Sequence, residues 1–280
     1  MYETTRIMLL SDIHVCHQSW YGTTNEEQLE DLMKAVTAAK GKNDYALSLV
    51  LGDVSLDFWG WHQGGSYLWE PKVSRTAEFV ERYMPSLPQP SYIIPGNHEQ
   101  YGHNDWRRIT GGERQQCVTA GGALFILLDS FSGDLDPSEN SDGTYVPVDV
   151  AYIRRAMADK PELLVFLCAH YFDFALESAE FKALLAEEQR IKALFMGHDH
   201  LTNVSFTPED AGRLPILRTG HFSYSCDDTD YATAYRGWRE LLLHPDGSFE
   251  SYYFIPRQYI PARDTYTGEH IRDEYTYRSR

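Results

Sequence analysis

The sequence contains few cysteines, and none of them form a pair at metal-binding or redox spacing. Cys16, Cys117, Cys168 and Cys226 are widely separated along the 280 residues, without a CxxC motif. Disulfide frameworks and thiolate metal sites require cysteines that are numerous or closely grouped. We therefore expect four free thiols in a reducing compartment.

Long apolar runs are also absent. No uninterrupted run reaches the roughly 18 to 20 residues that a helix needs to cross a bilayer. The amino-terminal run from Ile7 to Leu10 is too short for the apolar core of a secretory signal, and no small-residue cleavage site follows it. We expect a cytoplasmic protein that does not contact membranes.

Basic residues are in the minority. The chain has 25 lysines and arginines against 41 aspartates and glutamates, a formal net charge of −16 at pH 7. Proteins that bind long nucleic acids usually present a basic surface to the phosphates. The acidic balance therefore disfavours a long nucleic acid as partner. A small phosphate ester remains open as a ligand because bound metal ions reverse the local field.

Five short apolar runs each end in a polar cluster. Near-continuous apolar runs of this length suit strands that are covered on both faces. Helical patterns at 26–40, 73–84, 148–158 and 176–188 lie between or beside these runs, which indicates a layered α/β core. In such sheets, groups beyond the carboxyl ends of the strands converge. The runs are Arg6–Ser11 before Asp12-Ile-His14, Ala46–Leu51 before Gly52-Asp53, Ser91–Pro95 before Gly96-Asn-His-Glu99, Glu162–Ala169 before His170, and Ile191–Met196 before Gly197-His-Asp-His200.

The rest of the chain is less regular, with further strands predicted at 124–128, 202–206, 215–219, 238–243 and 249–255. Neither a repeat nor a flexible linker divides the sequence. We expect one domain over residues 1–257, followed by a polar carboxyl-terminal extension over residues 258–280.

Seven side chains at the strand ends have the chemistry of a two-metal site. Mixed carboxylate, carboxamide and imidazole donors suit manganese, iron or zinc. A lone histidine is more often structural than a ligand, but the motifs together and in this order predict a metal centre. The adjacent glycines permit the backbone to turn sharply beside the ions. The candidate ligands are Asp12, His14, Asp53, Asn97, His170, His198 and His200.

The motif order resembles the calcineurin-like metallophosphoesterase superfamily. The pattern of that family, DxH, GD, GNH[DE], a lone His and GHxH, is complete here across about residues 5–206. The resemblance implies an α/β (α+β) fold: a four-layer αββα sandwich of two mixed sheets flanked by helices. It also implies two divalent or mixed-valence metal ions. The implied ligands are Asp12, His14 and His200 for the first ion, Asn97, His170 and His198 for the second, and Asp53 as the bridge.

The same resemblance implies hydrolysis of a phosphate ester by a hydroxide that bridges the two ions and attacks phosphorus in line with the leaving group. Asn97 and His98 would contact the substrate. His98, which would not bind metal, would donate a proton to the leaving oxygen, and Glu99 would orient its ring.

Two departures from the motifs of other members narrow the subfamily that the sequence resembles. The arginines of GDxxDRG and RGNHE, found in protein serine/threonine phosphatases, are missing. Leu56 stands where purple acid phosphatases carry a tyrosine. The sequence is therefore similar to bacterial small-molecule and cyclic-nucleotide phosphodiesterases.

An aromatic segment over residues 58–69 follows the bridging aspartate. Trp59 and Trp61 would stack on a nucleobase or another flat group, or would instead pack beneath a long loop. The leading hypothesis is a phosphodiesterase for a small or nucleotide-like ester. The alternatives are a phosphomonoesterase on the same site and a non-catalytic module that docks a partner. The oligomeric state is not predicted.

Overall fold

Two six-stranded sheets form the centre of the protein. The computed structural model describes residues 3–16, 19–20, 23–60, 65–69, 71–136, 142–223, 235–257, 259–260, 265–266 and 268–279. In chain order the strands are β1 (Thr5–Leu10), β2 (Ser19–Trp20), β3 (Thr23–Thr24), β4 (Tyr45–Leu51), β5 (Ser91–Ile94), β6 (Gln116–Ala120), β7 (Ala123–Leu128), β8 (Leu164–Ala169), β9 (Ile191–Met196), β10 (Val204–Phe206), β11 (Pro215–Arg218), β12 (Trp238–Leu243), β13 (Phe249–Ile255), β14 (Tyr259–Ile260), β15 (Thr265–Tyr266) and β16 (His270–Tyr277). The α-helices are α1 (Asn25–Lys42), α2 (Arg75–Glu78), α3 (His103–Thr110), α4 (Val150–Ala158) and α5 (Ala179–Glu187).

Both sheets are mixed. The first has the order β16-β13-β12-β1-β4-β5, in which β1, β4 and β5 are parallel and the other three strands pair antiparallel. The second has the order β10-β11-β9-β8-β7-β6, in which β7, β8, β9 and β11 are parallel. The strands that precede the predicted ligands are therefore parallel within their sheets, and their carboxyl ends lie at a shared edge.

Alternate residues of the central strands enter different apolar cores. In β1, Ile7 and Leu9 lie in the core between the two sheets, whereas Met8 and Leu10 lie in the core beneath α1. The outer face of the second sheet is covered in the same way by α4 and α5. Strands buried on both faces explain the near-continuous apolar runs. The predicted four-layer αββα sandwich is confirmed.

Helix α1 begins at a capping box. The Thr24 hydroxyl accepts a hydrogen bond from the Glu27 amide at 3.1 Å, and the Glu27 carboxylate accepts one from the Thr24 amide at 2.8 Å. The single helix predicted over residues 73–84 is wrong. The segment consists of α2, a π-helical turn at Phe79–Tyr83 and a 3-10 turn at Met84–Ser86. The wider π turn lets both Phe79 and Tyr83 enter the core.

Part of the predicted carboxyl-terminal extension belongs to a sheet. Strand β16 pairs antiparallel with β13 and forms one edge of the first sheet. Its residues are mostly polar and none is buried, as expected of an edge strand. The division of the chain at residue 257 stays a prediction. None of the helices in the described ranges combines the length and apolar character needed to cross a bilayer.

Candidate metal centre

The loops that follow β1 and β4 lie side by side. The Asp12 amide donates to the Gly52 carbonyl at 3.1 Å, and the amides of Ile13 and His14 donate to the Asp53 carbonyl at 2.8 and 3.0 Å. These bonds continue the parallel pairing of the two strands beyond their ends. The DxH and GD motifs are therefore brought together by backbone contacts alone.

Five of the seven predicted ligand residues have a left-handed backbone. Few non-glycine residues adopt this conformation, and each instance costs on the order of 1–3 kcal/mol unless its surroundings enforce it. Such residues cluster at functional sites, where the backbone aims side chains in a required direction. The φ angles are 52° at Asp12, 50° at His14, 49° at Asp53, 73° at His198 and 58° at His200.

Gly96 and Gly197, beside the predicted ligands, have no room for a side chain. A Cβ atom on Gly96 would overlap the Asp53 carboxylate and lie 2.5 Å from the Asp53 nitrogen. A Cβ atom on Gly197 would overlap the Asp12 carboxylate and lie 2.7 Å from the Ser11 Cβ. The predicted need for a sharp turn applies to Gly52, whose φ is 86°. At the other two positions, close approach of the ligand-bearing loops requires glycine.

The first predicted ligand set is assembled. His14 Nε2 lies 3.2 Å from His200 Nε2, and Asp12 Oδ1 lies 3.8 and 3.5 Å from these two nitrogens. The Asp12 carboxylate is fully buried and accepts hydrogen bonds from the His198 amide at 3.1 Å and from the Ser11 hydroxyl. Its orientation is therefore determined by the neighbouring loop.

The second predicted set is assembled around Asn97. Its Oδ1 lies 3.0 Å from His170 Nε2 and 3.0 Å from His198 Nδ1. His170 Nδ1 donates to the Leu51 carbonyl at 2.8 Å, so the neutral ring presents the Nε2 lone pair to the site.

Asp53 lies between the two sets. Its Oδ1 accepts a hydrogen bond from the His98 amide at 3.1 Å. Its Oδ2 lies 3.2 Å from His170 Nε2 and 3.9 Å from His14 Nε2. One carboxylate oxygen is thus shared by imidazoles of both sets, which is the geometry that a bridging ligand requires.

The donor atoms fit bound cations. His170 Nε2, Asn97 Oδ1 and Asp53 Oδ2 are all acceptors when the ring is neutral, so a positive charge is needed among them. Burial disfavours a charged ring at His170, but the charges of Asp53 and Asp12 and the hydrogen bonds to Asp53 and the Leu51 carbonyl together outweigh it and raise the pKa of His170 to about 9. A metal ion would supply the same positive charge. Nitrogen and oxygen donors of this kind suit Mn, Fe or Zn.

His98 lies beside this centre. Its Nε2 is 3.7 Å from Asp53 Oδ2, and its ring is 5.4 Å from that of His14. Burial lowers the pKa of His98 to about 4. With His14 and Asp53 it forms a third group of atoms close enough to hold an ion. The prediction that His98 contacts substrate rather than metal stays a prediction.

Glu99 holds the loops together. Its carboxylate accepts hydrogen bonds from the amides of Ser55 and Gly96, both at 2.9 Å. Burial, followed by the charge of Asp53, raises the pKa of Glu99 to about 8. These bonds run to the backbone and not to the His98 ring, which Glu99 is predicted to orient. The carboxylate of Asp142 instead lies 4.0 Å from His98 Nδ1.

A cleft of about 510 Å³ opens onto the centre. Trp59 lines it, and its stacking on a substrate stays a prediction, whereas Trp61 lies outside the described residues. Its other walls come from residues that sequence reasoning missed. In the sequence, only the aromatic residues in the loop after β7 and directly after His170 could have indicated these walls. These lining residues are Phe131, Asp142, Tyr145, Tyr171 and Asp173.

A buried ion pair fixes the backbone behind the cleft. The Arg114 guanidinium contacts Asp129 Oδ2 at 2.6 Å and also donates to the carbonyls of Glu99, Tyr101 and Phe131. One side chain thus joins the segment after the GNHE motif to the wall of the cleft.

Replacing Arg114 by Leu is expected to destabilise the protein by about 3–5 kcal/mol, because Asp129 would stay buried without its partner. Urea unfolding of the metal-free protein would measure the change. Arg107→Leu is the matched control, since Arg107 pairs with Glu113 but both side chains are more than half exposed. We expect a much smaller change there. Equal losses in the two variants would contradict the role of Arg114.

Comparison with known proteins identifies similar sequences and structures. The family model described as calcineurin-like phosphoesterase matches residues 5–202. The chain is 22% identical over 270 residues to the 3',5'-cyclic adenosine monophosphate phosphodiesterase CpdA of Escherichia coli K12, covering 87% of this chain and 86% of that protein.

The solved structure of a plant phosphatase shows a similar fold. The purple acid phosphatase PPD1 of yellow lupin (Lupinus luteus) superposes with a TM-score of 0.53 at 11% identity, covering 97% of this chain and 54% of the lupin chain. This chain thus spans about half the length of the lupin protein. The NAD nucleotidase of Haemophilus influenzae gives a TM-score of 0.48 at 12% identity, covering 88% and 48% of the two chains.

Proposed function

The chain belongs to the calcineurin-like phosphoesterase family, and on that premise we propose that it hydrolyses a small phosphodiester with two bound metal ions. Family membership makes it a metal-dependent phosphoester hydrolase, and members typically bind two divalent metals. The observation that carries the proposal is the position of Asp53 Oδ2, 3.2 Å from His170 and 3.9 Å from His14. The similarity to an E. coli cyclic-AMP phosphodiesterase supports a nucleotide-like diester.

We assign the ligands as the two assembled sets. Bound ions would neutralise the phosphoryl oxygens and activate the nucleophile, as two-metal sites do. These side chains, which lie on loops of enforced geometry, would hold the ions. The ligands are Asp12, His14 and His200 on one side, Asn97, His170 and His198 on the other, and Asp53 between them.

His98 is assigned to the leaving group. Its ring borders both the centre and the cleft. Burial keeps the ring neutral at neutral pH in the absence of substrate, since it lowers the pKa of His98 to about 4. A phosphate ester beside the ring would bring negative charge and raise that pKa, which would favour the protonated donor.

A diester suits the cleft better than a monoester. Among the described residues that line it, there is no lysine or arginine. A monoester carries up to two negative charges at neutral pH and a diester carries one. The metal ions would therefore have to neutralise less charge in a diester.

Metal analysis and a paired assay test the function. After reconstitution with manganese, we expect two metal equivalents per chain and a higher kcat/KM for bis-p-nitrophenyl phosphate than for p-nitrophenyl phosphate. A chelated sample is the control. The reverse preference would favour a phosphomonoesterase. Bound metal without turnover of either ester would favour a non-catalytic docking module, and absence of metal binding would contradict the site itself.

His98→Ala is expected to keep both metals and slow the hydrolysis of esters with poor leaving groups by about 10²- to 10⁴-fold. An alkoxide leaves slowly without a proton, whereas p-nitrophenolate is a weak base and needs little help. Rates on an alkyl or nucleoside ester and on a nitrophenyl ester should be compared, with metal content measured in parallel. Equal losses would mean that His98 only positions phosphate, and loss of metal would make it a ligand.

A further inference from the structure

The two ring nitrogens of His98 face different surroundings. Nε2 lies 3.7 Å from Asp53 Oδ2, on the side of the metal centre. Nδ1 is buried and has no hydrogen-bond partner within the described part of the chain. A buried polar atom without a partner costs free energy. A group that reaches Nδ1 would therefore stabilise the ring, and it would also determine which nitrogen carries the proton that faces the centre.

Glu99, the neighbour predicted to orient this ring, is bonded elsewhere. Its Oε1 accepts a hydrogen bond from the Ser55 amide and its Oε2 accepts one from the Gly96 amide, each at 2.9 Å. If Glu99 turned to the His98 ring, the two loops that these bonds join would lose their connection. The partner of Nδ1 must therefore come from another segment.

Asp142 offers a carboxylate on the correct side of the ring. Its Oδ1 lies 4.0 Å from His98 Nδ1, roughly 1 Å longer than a hydrogen bond. The Asp142 side chain is 74% exposed, so it can rotate toward the ring without leaving a packed environment. Hydrogen bonds between catalytic groups are often long before a substrate binds and shorten in the complex.

The backbone beside Asp142 lies against the metal centre. A Cβ atom on Gly143 would be 2.8 Å from the Asn97 carbonyl oxygen, and the φ angle of Gly143 is 67°. Both observations require glycine here. With no side chain at residue 143, the loop approaches the GNHE turn closely, and Asp142 is brought to the edge of the cleft beside His98.

The continuation of this loop is anchored on two sides. The Val146 amide donates to the Ser130 carbonyl at 3.0 Å. The Tyr145 hydroxyl donates to Glu177 Oε1 at 2.5 Å and accepts from the Asp173 amide at 3.0 Å. These bonds join the loop to the segments that follow β7 and β8. The loop is therefore held in a defined position, which a residue that orients another side chain requires.

We propose that Asp142 is the positioning residue of His98: its carboxylate accepts a hydrogen bond from Nδ1–H and leaves Nε2 as the atom that exchanges a proton with the ester. The inference rests on the proposed function and adds a residue to the same site. As the bond from phosphorus to the leaving oxygen breaks, that oxygen takes the electron pair and the proton of Nε2. The ring becomes neutral and keeps its Nδ1–H bond to Asp142, which stays ionised throughout.

Asp142→Ala tests the role through the leaving group. Two substrates share a nucleoside arm: thymidine 5'-(methyl phosphate) and thymidine 5'-(p-nitrophenyl phosphate). We expect kcat on the methyl ester to fall by about 10-fold or more, but by no more than in His98→Ala, since general acid catalysis contributes about 10²- to 10⁴-fold. The rate on the nitrophenyl ester and the content of manganese should stay at wild-type values. Equal losses on both esters, or loss of metal, would overturn the proposal.

Asp134→Ala is the matched control. Asp134 is an exposed aspartate of the same loop and does not line the cleft. The substitution removes the same charge from the same loop, so both esters should be hydrolysed at wild-type rates. A loss on the methyl ester equal to that of Asp142→Ala would show that the effect comes from the general charge of the loop, against the proposal.

The double variant His98→Ala, Asp142→Ala separates an indirect role from a direct one. If Asp142 acts through the His98 ring, removing both side chains should slow the methyl ester no more than His98→Ala alone. A further loss in the double variant would mean that Asp142 acts on the substrate or the metal ions directly, which would overturn its assignment as a positioning residue.

Long-range ¹H–¹⁵N NMR measures the ring without turnover. The zinc-loaded protein is suitable because zinc is diamagnetic, and His98→Ala identifies the signals of this ring. We expect a proton on Nδ1 in the wild type and its redistribution between the two nitrogens in Asp142→Ala. If the expected change occurs but no diester is hydrolysed, the proposed function fails and the contact stands. If diesters are hydrolysed but Asp142→Ala leaves the His98 signals unchanged, the positioning role fails alone.

Discussion

Asp53→Asn is expected to lose metal and activity together. One oxygen of Asp53 accepts the His98 amide and the other faces imidazoles of both ligand sets. An amide has only one oxygen. If that oxygen faced the cations, the NH2 group would face the His98 N–H, which is also a donor. If the oxygen kept the His98 hydrogen bond, the NH2 group would face the cations and could not bind them. We expect loss of at least one metal equivalent and a fall in kcat/KM on the order of 10³-fold or more, since outer-shell partners alone cost about 10- to 100-fold.

Elemental analysis and the diester assay on the same preparation would measure both changes. Asp44→Asn is the matched control, because Asp44 is exposed and immediately precedes the other end of the same strand, β4. It should keep two metals and full activity. Normal metal stoichiometry with full turnover in Asp53→Asn would remove Asp53 from the bridging position.

Gly96→Ala is expected to disrupt the centre without changing any ligand. The added methyl would overlap the Asp53 carboxylate and lie 2.5 Å from its backbone nitrogen. Because the conflict includes backbone, the loops after β4 and β5 would have to separate. The Gly96 amide would also move from Glu99, to which it donates at 2.9 Å. We expect metal loss, a comparably large fall in activity and a destabilisation of about 1–3 kcal/mol, typical of overpacking.

Urea unfolding of the metal-free protein, with metal analysis of the loaded one, would measure these effects. Gly41→Ala is the control, since an added Cβ there meets nothing within 4 Å and Gly41 lies near the end of α1. Alanine should be neutral or stabilising by up to about 1 kcal/mol at that position. Retention of both metals at wild-type activity in Gly96→Ala would contradict this prediction, because it would show that the two loops can accommodate the added methyl group.

The order of strands and ligands was readable from the sequence because each signal is local. A buried strand such as Ala46–Leu51 shows itself as an apolar run, and a ligand such as Asp53 follows directly. Parallel neighbours then bring separate strand ends to one edge. The seven candidate ligands could thus be named before any distance was known.

Other features became visible only in the tertiary structure, because their partners are distant in the chain. β16 has the polar composition of an extension and becomes a strand only by pairing with β13. Tyr145 lies in the loop between β7 and α4, and its ring borders Tyr171 in the cleft.

The sequence by itself determined the chemistry of the centre, since residue type and position after a strand decide which atoms can bind a metal. Only the tertiary structure decided what surrounds that centre. Glu99 was expected to orient a ring, but its hydrogen bonds join the Ser55 and Gly96 loops. The aromatic and acidic walls of the cleft also depend on the tertiary structure. Their side chains come from separate segments, which meet only when both sheets and their loops are packed.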